Sequence, residues 1–297
     1  MTILNTPQHI TSLATSAVIV DLRMHLYTGR KTDDAMADKV SSDEGAKQRV
    51  MSISHDLFAG NTHLKDIHRY RQRIYNWLQE QTYDWAGNLR LLPTYKLPEF
   101  LTDAEEHKKQ FSNCVEAFVG QLETIIANAA FARGPLFKRE DYPTADELRG
   151  KFHIGFSIME VPQGDFRVQV AQDLADDLRA NFEQQAKDYI HGIADSQADK
   201  LRKLMTSISY CCELETVTDA EGSVKIKRRR LYDSTIQQAI DLCDDIAKFN
   251  IGEYQTLEDV RVELASLLKS INVSALRESE ALREKVKGEL DSILSKF

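Results

Sequence analysis

Two runs of basic residues are the side chains of this chain best spaced to do chemistry. Lys225, Lys227, Arg228, Arg229 and Arg230 crowd into one short stretch, and Lys65, Arg69 and Arg73 recur every fourth residue. A four-residue repeat collects three cations on one stripe of a helix, opposite Ile67, Tyr70 and Ile74. Cations so grouped can hold phosphates, because each neutralised phosphate releases a counterion. They can equally pair with acidic faces, and this chain has 46 acidic side chains against 38 basic ones, a formal net charge of -8. That balance opposes a general nucleic-acid coat while leaving room for a local basic site. Both runs are candidate contacts for a partner or a nucleic acid, the run at 225–230 more than Lys65, Arg69 and Arg73.

Other constellations fall short of a site. His55, His63 and His68, with Asp56 and Asp66, come nearest to a metal set. Helical zinc sites place histidines four apart so that both rings meet, whereas His63 and His68, five apart, diverge by roughly 140°. Cys211 and Cys212, beside Glu213, diverge by about 100° on a helix and cannot easily chelate one ion. The four cysteines, Cys114 and Cys243 being the others, show neither disulfide-framework nor zinc spacing. Cys211 and Cys243 read as small hydrophobes on helical apolar faces. Asp176-Asp177 and Asp244-Asp245 read as solvated helix faces. No glycine loop of the P-loop or dinucleotide type is present, and no serine elbow. The sequence therefore predicts no metal, no cofactor and no catalytic residue. A site assembled from distant residues would leave no motif.

The elements that would carry these residues follow from periodicity. Residues 16–27 alternate as a strand, with Val18, Val20, Leu22, Met24 and Leu26 on one face, and Gly29 ends it. Thr32 to Glu44 reads as polar loop with a short helix, and Val50 to Ile53 as a short strand. A helix starts from Thr62 as its cap, burying Ile67, Tyr70, Ile74, Trp77 and Leu78. Pro93 and Pro98 precede a second helical stripe over 95–133, with Thr102 and Glu105 at capping-box spacing. Thr144 caps a short helix. Strands at 152–159 and 166–170 form a hairpin turned by Pro162, Gly164 and Asp165. A helix over 172–213, with Asp173 as its cap, carries Leu174, Leu178, Phe182, Tyr189, Ile193, Leu201, Leu204, Ile208 and Cys211 along roughly 60 Å. Thr216 to Arg230 reads as a polar excursion. Shorter helices close the chain around Ile236, Ile240, Cys243 and Ile246, then Val260, Leu264 and Leu267, then Leu282, Val286, Leu290 and Ile293.

The expected fold is α+β and predominantly helical, with a small antiparallel sheet from 16–27, 152–159 and 166–170. Two regions are expected: a mixed one over 1–171 and a helical one over 172–297. The long apolar stripe exceeds what the short closing helices obviously cover, which predicts a homo-oligomer. No apolar run approaches the length of a membrane span, and Met1 to Ser12 lacks the pattern of a signal peptide. Reduced cysteines fit a cytoplasmic location.

Several stretches, finally, resemble a known family. They are Gly29-Arg30-Lys31, Leu91-Leu92-Pro93-Thr94, the run from Leu136-Phe137 to Phe152, Asp165-Phe166-Arg167-Val168, and Leu276 to Phe297. Together they resemble a domain of unknown function encoded by tailed phages, prophages and some plasmids. Genes of that family often lie near MoxR- or CobS-like AAA+ ATPases and von Willebrand factor A-type proteins. The resemblance implies a virus-type protein in an infected cell, with an AAA+ ATPase or a host defence complex as partner, and it transfers no catalytic residue. The favoured reading is a non-enzymatic interaction or assembly protein, an ATPase adaptor or an inhibitor of a defence complex. A nucleic-acid-associated protein using 225–230 and an enzyme of unrecognised type are the alternatives.

Overall fold

The computed structural model describes residues 8–45, 50–134, 137–163, 172–218 and 224–296. The chain divides into two compact units, one of residues 1–18, 93–95 and 160–297, the other of residues 19–92 and 96–159.

In chain order the elements begin with α1 (Gln8–Ser16), β1 (Ala17–His25), β2 (Arg30–Thr32), α2 (Asp34–Asp43), β3 (Ser54–Asp56) and α3 (Thr62–Gln81). Then come β4 (Tyr83–Asp84), β5 (Arg90–Pro93), α4 (Leu97–Gly120), α5 (Leu122–Arg133), α6 (Ala145–Gly150) and β6 (His153–Glu160). The chain finishes with α7 (Gln172–Cys212), β7 (Leu214–Thr218), β8 (Val224–Arg228), α8 (Asp233–Lys248), α9 (Gln255–Ser270), α10 (Val273–Glu278) and α11 (Glu280–Leu294). Helix dominates, and a four-stranded antiparallel sheet runs in the order β4-β5-β1-β6, so the expected α+β class holds.

The unit of residues 19–92 and 96–159 is organised by aromatic packing. Phe58 meets Phe118 at 5.1 Å, Tyr142 at 5.7 Å and Tyr27 at 6.1 Å, all edge-on, the arrangement the ring quadrupoles favour. Ile67 and Ile74 of α3 and Phe118 of α4 are fully buried where those helices pack. Gly29 sits at φ +69, and a Cβ there would stand 2.9 Å from the Phe58 ring. Only glycine meets both demands.

Several boundaries differ from the sequence reading. The strand expected at Val50 to Ile53 lies at Ser54–Asp56 instead, because it pairs with β2 in the register Lys31↔His55, while the Ile53 carbonyl accepts from Asp33 N–H. Asn61, not Thr62, caps α3, its Oδ1 accepting from Leu64 N–H at 2.9 Å. α4 begins at Leu97 with Pro98 in its first turn, where a missing N–H costs nothing. Thr102 is therefore internal, and its hydroxyl donates to the Pro98 carbonyl. The stripe over 95–133 is two helices, broken at Gln121. Thr144 does cap α6, with Glu147 completing a capping box. The β4–β5 hairpin carries almost no sequence signal. It is held by the Arg90 guanidinium, which donates to the Thr82 hydroxyl and carbonyl and to Asp84. The strand expected at 166–170 lies outside the described residues.

In the other unit, α7 is the spine. It packs against α11, α8 and α1, and α8 packs on α9. Its buried side chains include Ile190, Ile193, Leu201, Met205, Ile208 and Cys212. Ile193, Leu201 and Ile208 are buried as expected, whereas Tyr189, Leu204 and Cys211 are only half-buried beside the buried Ile190, Met205 and Cys212. Neighbouring apolar residues on a helix are roughly 100° apart, and the packed partners select between them. Asp173 falls inside α7, which starts at Gln172, so it is not the cap.

Candidate functional site

The excursion expected at Thr216 to Arg230 is a β-hairpin. β7 and β8 pair antiparallel in the register Leu214↔Arg228, Glu215↔Lys227 and Val217↔Lys225. At the base of the hairpin the chain returns to the end of α7. There the Arg229 guanidinium lies 3.8 Å from the Tyr210 ring centroid, and its Nη1 donates to the Glu213 carboxylate at 2.8 Å. Arg229 is half-buried and tied down, so it is less available than the sequence suggests. Arg230 is exposed and lies 5.0 Å from the centre of the Tyr232 ring. Tyr210 and Tyr232 are 56% and 52% exposed, unusual for large aromatic side chains. They turn a basic run into a surface of guanidinium groups backed by π faces.

Arg283 anchors this region from beneath. It is 2% exposed, yet its Nε donates to the Leu276 carbonyl at 2.6 Å and its Nη1 to the Cys211 carbonyl at 2.9 Å. Both terminal nitrogens also reach the Arg229 carbonyl at 3.2 Å. Two of those carbonyls belong to the last turns of α7 and α10, whose partial negative charge favours a buried cation. Arg283 thereby ties the end of α7, the foot of the hairpin and α10 to one guanidinium. Its spacing from Val286 and Leu290 puts it on the buried stripe of α11, a signal readable in the sequence. Tyr210 carries no such signal, since only the hairpin brings Arg229 back to it, whereas Tyr232 stands two residues beyond Arg230.

The second basic group belongs to the other unit. Lys65, Arg69 and Arg73 are exposed along α3, and Arg69 pairs with Asp66 at 2.7 Å. Arg73 sits 5.5 Å from the centre of the Tyr70 ring, close to where Tyr70 shares a 2.9 Å hydrogen bond with His107 Nδ1. Burial holds the His107 imidazole below its ordinary value, favouring the neutral ring.

The histidines do not assemble. His55 Nε2 meets Asp33 Oδ2 at 2.6 Å, while the other Asp33 oxygen caps α2 by accepting from Met36 N–H. Among the described residues no three His, Cys, Asp or Glu side chains are grouped as metal ligands would be. Cys212 and Cys243 are buried, and burial pushes the Cys243 thiol up to about 11. Cys211 is only half-buried. Among the described residues no helix is long and apolar enough to cross a membrane.

Fold and surface together define a predominantly helical α+β protein whose most distinctive exposed chemistry is basic and aromatic. Comparison of the chain with family models, with characterised proteins and with solved structures gives no match.

Proposed function

We propose that this protein acts by binding a protein partner through its long helix. The observation that supports this reading is the length of α7, 41 residues from Gln172 to Cys212. Buried residues recur along it from Ala186 to Cys212, and nearer its start Leu178 and Phe182 stand half-buried as an apolar pair one turn apart. A helical arm with an i,i+4 apolar pair matches recognition by a groove on another protein. The two roles implied by the phage-family resemblance, adaptor for an AAA+ ATPase or inhibitor of a host defence complex, both fit such an arm. Affinity purification of the tagged protein from infected cells tests it. Leu178→Glu with Phe182→Glu should abolish recovery of the partner while leaving circular dichroism unchanged. Recovery of an ATPase favours the adaptor, and of a defence nuclease or helicase the inhibitor. Undiminished recovery by the double variant refutes the arm as the contact.

A second reading, contact with single-stranded nucleic acid, is favoured by the exposed Tyr210 and Tyr232 beside Arg229 and Arg230. Bases stack on such rings while guanidinium groups meet the backbone, and each stacked base is worth about 1–3 kcal/mol. A salt-sensitive mobility shift should disappear when Lys227, Arg228 and Arg230 become Ala, and weaken for Tyr210→Ala. No shift by the parent protein at low salt removes this reading.

A further inference from the structure

In the unit of residues 19–92 and 96–159, α3 and α4 meet along a seam of rings. Tyr70 and Trp77 share one face of α3, two helical turns apart, and Phe100 and His107 are spaced in the same way on α4. Trp77 stacks on the buried Phe100 at 4.8 Å, and Phe156 of β6 meets it edge-on at 5.9 Å. The His107 ring completes the enclosure at 4.5 Å from Trp77, with its Nδ1 2.9 Å from the Tyr70 hydroxyl. His107 is only half-buried, so one side of the ring meets water.

The charges around that imidazole are unevenly placed. From α3 it meets Tyr70 and Arg73, whose guanidinium lies 5.5 Å from the centre of the Tyr70 ring. From β6 comes the uncharged Phe156. The ammonium beside Phe156, that of Lys108, is already paired with Glu105 at 2.6 Å. Cys114, further along α4, keeps its proton, because burial pushes its thiol up. On His107's own helix stand Glu106, which accepts from Gln110, and Asp103, which makes no ion pair among the described residues. Asp103 precedes His107 by one turn, the spacing at which helical side chains meet.

The neutral ring suits the seam, since its Nδ1 can accept the Tyr70 hydroxyl proton. A second ring proton makes both nitrogens donors, so that acceptor is lost. Burial and Arg73 oppose a charge in this place, while Asp103 and Glu106 favour one. The inside of the seam therefore selects the neutral ring, and the outer side of α4 selects the charged one.

We propose that His107 is a proton-operated latch on the α3–α4 seam. Neutral, it closes over Trp77 and bonds Tyr70. Charged, it turns outward to Asp103 and uncovers the edge of the Trp77 ring.

The emission of Trp77, followed in a Trp85→Phe background of the full chain from about pH 7.5 to 4.5, tests this. As the pH falls, emission should shift to the red and lose protection from acrylamide in a single-proton transition, with far-ultraviolet circular dichroism unchanged. The His107 ring-proton resonances of the parent protein should titrate with the same midpoint. His107→Gln still offers Tyr70 a hydrogen-bond partner but cannot titrate, and it should abolish the transition. Arg73→Gln should move the midpoint up and Asp103→Asn down, each by a few tenths of a pH unit, shifts that a merely structural histidine would not show. A transition that survives His107→Gln overturns the latch. So does a His107 that titrates without a red shift of Trp77, the charged ring then keeping its place against the indole, and so does the absence of any titration over this range.

Discussion

Replacing Arg283 by Met should unsettle the helical unit more than any surface change near it. The substitution keeps an unbranched apolar stem in the site and removes every donor. Three buried carbonyls, Leu276, Cys211 and Arg229, then lose hydrogen bonds of 2.6 to 3.2 Å. Charge-assisted bonds contribute about 1.5–3 kcal/mol each, or roughly 4–9 kcal/mol for three. Against this, Met spares the desolvation of a buried guanidinium, several kcal/mol even after relaxation. Among the described residues no carboxylate pairs with that charge, so its compensation rests on the two helix ends and is incomplete. The difference is a net loss of about 2–4 kcal/mol. Arg283→Lys should lose at least as much, because it keeps a buried charge and gives up the planar fork that serves three carbonyls. Urea unfolding followed by far-ultraviolet circular dichroism is the assay. Trp77 and Trp85, the two tryptophans, both lie in the other unit and would not report this change directly. Amide exchange near Cys211 and Cys212 should accelerate in both variants. A Met variant within about 0.5 kcal/mol of the parent, at unchanged m-value, refutes this role for Arg283.

Three further outcomes are expected. Phe118→Ala removes a fully buried ring at the centre of the aromatic cluster and should cost about 3–5 kcal/mol, read as a lowered urea midpoint. In the folded protein a thiol reagent at mildly alkaline pH should modify Cys211 well before Cys212 and Cys243, which should react only on unfolding. Equal rates would contradict their burial. Asp33 is held below the usual carboxylate range, first by Met36 N–H and then by His55, so its contribution is present above its unfolded pKa and fades as pH falls through the folded one. Asp33→Asn should therefore flatten the acid limb of a pH–stability profile while leaving its alkaline limb in place.

Much of this architecture is legible in the residues, for physical reasons that also explain the gaps. β1 shows its alternation because one face is packed and the other mixed. α8, α9 and α11 show theirs because single apolar stripes meet one core. α7 is readable as a helix and, through Ile193, Leu201 and Ile208, in part of its rotation, but Tyr189 and Ile190, or Leu204 and Met205, offer equivalent apolar side chains about 100° apart. β7 and β8 are hard to read because their polar residues hide the hairpin, and the Glu215↔Lys227 pairing becomes evident only in register. β4 and β5 are too short to carry a period and depend on the Arg90 side chain. The basic half of the candidate surface is visible in sequence. Of its aromatic half Tyr232 is adjacent to the run, but Tyr210 is not, and it meets Arg229 only once the hairpin has formed.

The two units are not successive in the chain, and this bears on how the protein is made. The backbone passes between them after residues 18, 92, 95 and 159. α1 leaves the ribosome before α7, on which it packs and which is synthesised well over a hundred residues later. Leu13, fully buried in the finished fold, must wait through that interval without its partner. Residues 19–159 can meanwhile close their own core. Contacts so distant along the chain form late and slowly, and exposed apolar surface in the interim is what chaperones recognise. A cut placed between the units would sever α1 from the helix it serves, so separately expressed halves should recover the native state only when both are present together.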